Sequence, residues 1–379
     1  MRPNVGGEEV APGQGGHEGA ASLDPECLVE VERPIDGDEA QHGRHQEYGR
    51  HERATRRARG RTGRRGRGHL YARDYTHRLV ILLTGATGYI GLRVGARLAA
   101  AGERVRCLVL PHDPIDPGRH FAADVVRGDV TRLDSFLPHG EDVDTVVHAA
   151  AVMPPGAPDR MQEVNVLGTA NVIAFAQRRK ARRLVYLSAV SAAYAKKNAY
   201  GTSKAEAERL VQESGLDYTI LRLTMVYGPS GGLHFQKLVS LLTRVPLLCP
   251  VPGPGTARLQ PVFVEDVVQA VELALRSPAA VGKTYNVSGG TVLRLRDLID
   301  RIVAVQGLRR RRLHVPLALC RLAASGLAVV LPPSFFSPDA LLGLTQDAEL
   351  DHSQFGQECG YAPLSLEEGF ARTFGRSPA

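Results

Sequence analysis

Tyr200 and Lys204, in the run Tyr200-Gly201-Thr202-Ser203-Lys204, are the residues whose types and spacing speak most directly of chemistry. Four positions apart on a helix, they share one face. A phenol with a pKa near about 10 is a poor acid or base at neutral pH. A neighbouring ammonium lowers it into a useful range and can also bind a ribose hydroxyl. Ser188, twelve residues before Tyr200, ends a strand-like run where a hydroxyl would hydrogen-bond a substrate oxygen. A Tyr/Lys pair alone is ordinarily a solvated helix face, so what precedes it decides how it is read.

What precedes it is LVILLTGATGYIG, Leu79 to Gly91: an apolar run, an abrupt stop at Thr84, and glycines at Gly85, Gly88 and Gly91. This is strand, tight turn, helix. Gly85 allows the turn, Gly88 the approach of a pyrophosphate and Gly91 close packing of the helix on the strand. With Thr87, Tyr89 and Ile90 these residues form a cradle in which free helix amides face phosphate.

The elements that follow must bring cradle and tyrosine together. Arg104 to Leu110 reads as a second strand, at whose end a carboxylate would accept from a ribose 2′-hydroxyl or an arginine would pair a 2′-phosphate. Leu110 stands there instead, so NAD and NADP both remain, with a slight lean to NAD because the arginine is missing. The strand Ala123 to Val126 delivers Gly128, Asp129 and Val130. Asp129 either meets the adenine or caps a helix over Thr131 to Leu137. A strand from Asp144 to His148 leads into Ala149 and Ala150, small enough to leave room for a cofactor. A long helical pattern follows from Met161 to Lys180, then a strand from Arg183 to Leu187. Strands alternating with helices predict an α/β fold, a Rossmann-type doubly wound parallel sheet with ligands at the carboxyl ends of its strands. Residues 78–379 form this domain, interleaved with a smaller C-terminal substrate lobe drawn mainly from 229–262 and 284–379.

Composition narrows the class. Five scattered cysteines without a CxxC pair argue against a disulfide framework or a zinc site and for a reducing, cytoplasmic setting. No metal site is expected. The net charge of +7 is unevenly spread, and the first 78 residues are two opposed blocks: ten Asp/Glu against two Lys/Arg in 1–43, then twelve Lys/Arg against three Asp/Glu in 44–78. Residues 1–77 lack apolar periodicity and read as a disordered charged tail. Its block Arg56 to Gly68 has no interleaved aromatics, which speaks against specific nucleic-acid binding. The N-terminus shows no apolar secretory core. The longest apolar run, Leu317 to Leu331, is broken by Arg321 and is shorter than the ~20 residues a span needs. It reads as a buried helix or at most a membrane-surface contact, not a transmembrane segment.

Taken together, TGATGYIG, Gly128-Asp129, His148 to Ala150, Asn165 to Thr169 (NVLGT), Val185 to Ser188 (VYLS), YGTSK, LRLTMVYGP from Leu221 and PVFVEDV from Pro261 resemble the short-chain dehydrogenase/reductase superfamily, in its extended or atypical branch of epimerase/dehydratase-like proteins. The resemblance covers about Leu79 to Gly290. It implies Tyr200 as general acid/base, Lys204 as its tuner and ribose anchor, a serine as oxyanion partner, Asn165 as support of a proton relay, and a homodimer through a helix pair. The usual paired hydroxyl is absent: Ala189 and Val190 follow Ser188, which leaves Ser188 and Ser191 as the two candidates. Arg222 and Tyr227 would line the substrate side. Asp266 reads as the cap of a helix Val267 to Leu275, and Phe263 as core. The expected activity is transfer of hydride at a carbinol or carbonyl carbon of a small-molecule substrate with NAD(P). A sugar-nucleotide epimerase or dehydratase with tightly bound NAD and a non-catalytic nucleotide-binding subunit or redox sensor are the alternatives. The short loop before Tyr200 weakens the sugar-nucleotide reading.

Overall fold

Apolar and β-branched runs become the strands of one parallel sheet because both of its faces are covered. The computed structural model describes residues 80–153, 157–244, 247–326 and 338–375. The predicted charged tail 1–77 lies outside the described residues. The strands β1 (Val80–Thr84), β2 (Arg104–Val109), β3 (Ala123–Arg127), β4 (Thr145–His148), β5 (Arg183–Ala189), β6 (Asp217–Leu223) and β11 (Lys283–Val287) lie in the order β11-β6-β5-β4-β1-β2-β3. Every pairing in this sheet is parallel. Helices α1 (Tyr89–Ala100) and α5 (Val264–Arg276) cover one face through Val94, Leu98, Val267 and Val271. Helices α2 (Gly168–Arg179) and α3 (Ala199–Glu213) cover the other through Val172, Phe175, Ala207 and Val211. The doubly wound order reverses beside β1, so the loops after β1 and β4 open one cleft at the strands' carboxyl ends.

The smaller lobe has its own apolar cluster, built from α4 (Leu233–Arg244), α6 (Leu295–Val305), α10 (Leu366–Phe374) and the parallel pair β8 (Leu248–Pro252) with β13 (Arg311–Val315). Tyr227, Phe235 and Phe370 lie in mutual ring contact at its centre. The segment around α9 (Ser353–Cys359) instead packs on the sheet, where Phe355 stacks on Tyr285 and Tyr361. The expected lobe therefore gives part of 284–379 back to the main domain.

Three local expectations change. Thr131 to Leu137 forms no α-helix but two short 3-10 turns, Leu133–Ser135 and Leu137–His139. The Ser135 hydroxyl donates to the carbonyls of Asp129 and Arg132, which competes with helical bonding. The predicted helix from Met161 to Lys180 contains a π-helical segment, Gln162–Leu167, before α2 begins. Asp266 does not cap its helix, whose N-cap is Phe263. Its carboxylate accepts from the Leu364 amide at 3.0 Å, pinning the C-terminal segment, and burial pushes its pKa up to about 6. Phe263 is core, as expected.

Candidate active site

The glycine loop has the geometry its residue types imply. Gly85 adopts φ +70°, and a Cβ there would lie 2.6 Å from the Ala150 amide nitrogen. At Gly91 a Cβ would come within 2.0 Å of the Gly85 carbonyl oxygen, so glycine alone lets α1 start this close to β1. Gly88 is the N-cap of α1, with no side-chain cap hydrogen bond among the described residues. That open helix N-terminus fits a dinucleotide pyrophosphate. Thr87 donates to the Asp113 carboxylate at 2.7 Å, which draws Asp113 to the rim of the loop although it lies beyond the strand end. Arg127, missed in the sequence, donates to the carbonyls of Leu110 and Asp113. The adenosine end thus carries both a carboxylate and an arginine, and neither nicotinamide dinucleotide is disfavoured there.

A cavity of about 540 Å³ runs from this loop into the lobe. Gly85, Gly88, Tyr89, Ile90, Gly91 and Ala149 line it at the dinucleotide end, and Ser188, Ser191, Tyr200 and Lys204 at its centre. The structure thus gathers glycine loop, serines, tyrosine and lysine at one place, from elements more than a hundred residues apart. Asp129, Val130 and Ala150 are not in its lining. Asp129 accepts from the Thr131 amide in a local turn, Val130 is buried beside Gly168, and Ala150 packs under Gly85. His148 bridges Thr84 and Thr169 with its two ring nitrogens. Complete burial holds it neutral, with a pKa down to about 3.

Helix α3 starts at Asn198, whose side chain accepts from the Gly201 amide. This start sets Tyr200 and Lys204 on its inward face. The Lys204 ammonium donates to the Leu187 carbonyl at 2.6 Å and lies 4.2 Å from the centre of the Tyr186 ring. Burial lowers its pKa to about 7, with Glu208 pulling the other way. Burial pushes the Tyr200 phenol above its ordinary range, and Lys204 does not offset that shift. In this arrangement the Lys204 ammonium is engaged by the Leu187 carbonyl and the face of the Tyr186 ring. Asn165, in the π segment, exchanges hydrogen bonds with the Val152 backbone and donates to Ser203 at 2.9 Å. It braces the β4 loop against α3.

The two serines differ. Ser188 donates to Glu208 at 2.5 Å, and Glu208 also takes a bidentate ion pair from Arg222 with a closest approach of 2.6 Å. Ser188 and Arg222 are register partners on β5 and β6, so both side chains meet Glu208 on the same face. The Ser191 hydroxyl is buried at the cavity wall and has no hydrogen-bond partner among the described residues. Of the two candidates, Ser191 has the hydroxyl left over for a ligand. Arg222 and Tyr227, expected on the substrate side, have protein surroundings. Arg222 is held by Glu208, and Tyr227, 1% exposed, belongs to the lobe's aromatic centre; neither lines the cavity. Sequence reasoning missed His234 and Lys237, which α4 presents to the cavity from the lobe side. Their spacing of three on an amphipathic helix was the available signal.

Known proteins place this arrangement. The chain is 25% identical over 321 residues to a UDP-glucose 4-epimerase of Vibrio cholerae, covering 77% of this chain and 94% of that protein. It is 27% identical over 262 residues to a 2-alkyl-3-oxoalkanoate reductase of Stenotrophomonas maltophilia, covering 61% and 76%. A dTDP-glucose 4,6-dehydratase from Streptomyces venezuelae, solved with NAD, superposes with a TM-score of 0.62 at 21% identity, over 78% of this chain and 96% of that one. The profile of the NAD dependent epimerase/dehydratase family matches residues 81–288. With its Rossmann sheet, its glycine cradle and that match over more than half its length, the chain belongs to the NAD dependent epimerase/dehydratase family and uses a nicotinamide dinucleotide.

Proposed function

We propose that the protein is an NAD(P)-dependent oxidoreductase that interconverts a ketone and a secondary alcohol on a small molecule, with Tyr200 as general acid/base. The observation that carries this reading is the apolar cavity holding Tyr200, Lys204 and the unpartnered Ser191 hydroxyl together with the glycine loop. The bound nicotinamide supplies or accepts hydride at the reacting carbon. In the reductive direction the Tyr200 hydroxyl gives its proton to the carbonyl oxygen as the C–H bond forms, leaving an alcohol and a phenolate that is reprotonated from water. Ser191 donates to the same oxygen and stabilises its developing charge. Lys204 lines the same cavity as Tyr200 and holds the ribose. Asn165 keeps α3 and the β4 loop in register through Ser203 and Val152. Ser188 is a positioning residue: its bond to Glu208 ties the end of β5 to α3.

Two observations favour net redox over epimerisation of a sugar nucleotide. No arginine and no carboxylate stand among the described residues lining the cavity, whose walls are predominantly apolar, with leucine the commonest residue. A reductase of an oxoalkanoate is among the similar proteins. The test is consumption of NADH or NADPH by the purified chain over a panel of aliphatic ketones, beside UDP-glucose and UDP-galactose. Ketone-dependent consumption supports the reading. Interconversion of the sugar nucleotides without net consumption overturns it in favour of an epimerase.

A further inference from the structure

We infer that the substrate is an amphipathic acid, a long apolar chain carrying a carboxylate or phosphate that is held by Lys237 and His234. This deepens the oxidoreductase reading and rests on it. The lobe half of the cavity is apolar, with Leu238, Leu241, Pro250, Val315, Leu319 and Leu341 in its wall. Into that wall α4 sets His234 and Lys237, one turn apart and on the same helix face. Apart from Lys204, these are the cationic or potentially cationic side chains of the described lining, and no Asp or Glu faces them there. Neither has a hydrogen-bond or ion-pair partner among the described residues.

An ammonium beside apolar surface without a counter-ion is disfavoured, and burial accordingly lowers the pKa of Lys237. His234 is lowered by burial and by the adjacent Lys237 charge, which leaves it a neutral donor beside a cation. Such a pair is completed by an anion brought in with the ligand. The apolar wall specifies the rest of that ligand. On the outward-running face of the β8/β13 pair, Val315 and Pro250 in the cavity give way to Leu313 and Leu248, which are 46% and 40% exposed. Leu319 on the helix α7 (Leu317–Gly326) lines the cavity and is 55% exposed. The apolar track thus continues from the cavity to the surface, as a chain longer than the cavity requires. A nucleoside diphosphate offers no group for this track.

Equilibrium binding tests the inference without turnover. Calorimetry of the full chain with saturating NADP or NAD, with ligands kept below micelle formation, compares dodecanoate, dodecyl phosphate, dodecanol and methyl dodecanoate. At least one of the two anions is expected to bind about tenfold or more tightly than dodecanol and the ester. The preferred anion names the headgroup. Lys237→Met is expected to bring the anions to within about twofold of dodecanol while leaving dodecanol itself unchanged, and Lys237→Arg to keep the preference. Equal affinity of anions and alcohol in the wild-type protein overturns the inference, as does a preference that survives in Lys237→Met. Retained anion preference without turnover of any ketone supports the anion site and sinks only the oxidoreductase reading. Turnover of neutral ketones without anion preference does the reverse.

Discussion

The two walls of the cavity are built on opposite principles. On the sheet side the polar groups around the tyrosine, Ser191 apart, are held by protein: Ser188 and Arg222 meet on Glu208, Lys204 on the Leu187 carbonyl, Asn165 on Val152 and Ser203. On the lobe side the wall is largely apolar, and its titratable groups, His234 and Lys237, lack protein partners among the described residues. A site that must deliver a proton reproducibly needs a frame whose side chains have one arrangement. A surface that must accept a particular ligand keeps its polar groups for that ligand. Chemistry belongs to the first wall and selectivity to the second.

Substitutions on the two walls should accordingly read out differently. The largest effect is expected for Arg222→Met. It strips the counter-ion from Glu208, whose side chain is 5% exposed, and should lower stability by about 3 kcal/mol in chemical denaturation. KM for a working substrate should change little; a large KM effect without destabilisation would return Arg222 to the substrate side. Next is Gly91→Ala, whose Cβ cannot coexist with the Gly85 carbonyl. A loss of about 1–3 kcal/mol is expected, with abolition of the thermal shift given by NAD(P). An unchanged shift would show that the loop does not bind phosphate.

Smaller effects probe Lys204 and Tyr227. Because the folded pKa of Lys204, about 7, lies below its unfolded value, the unfolded chain binds more protons between roughly pH 7 and 10. Its contribution to stability therefore rises with pH across that window, by at most about 1.4 kcal/mol per pH unit. Lys204→Met should flatten this slope; an unaltered slope would mean that Lys204 is charged throughout. Tyr227→Phe keeps the aromatic centre and should alter both stability and KM least, within about 0.5 kcal/mol. A change in KM would contradict its assignment to the core.

Legibility in the sequence follows the same division. Gly85, Gly91, Tyr200 and Lys204 could be read because backbone sterics and a four-residue helical spacing are local constraints. The parallel, doubly wound sheet followed from the alternation of strands with helices. The roles of Ser188, Arg222 and Asp266 could not be read. Each depends on which side chain arrives from a distant element, Glu208 for the first two and the Leu364 amide for the third. Tyr227 fell inside a recognisable run, but whether it faced cleft or core was set by packing against Phe235 and Phe370. His234 and Lys237 belong to no motif; their spacing of three puts them on one helix face, but only the folded lobe turns that face to the cavity.

The central claim is that one phenol carries the proton while other groups hold the cofactor, and Tyr200→Phe tests it most directly. Measured side by side, NAD(P) affinity by calorimetry and turnover of a ketone substrate should separate. Affinity should stay within about threefold, while turnover falls by about 10²–10⁴-fold, the usual worth of a positioned acid/base. Turnover that survives the loss of the hydroxyl would contradict the account.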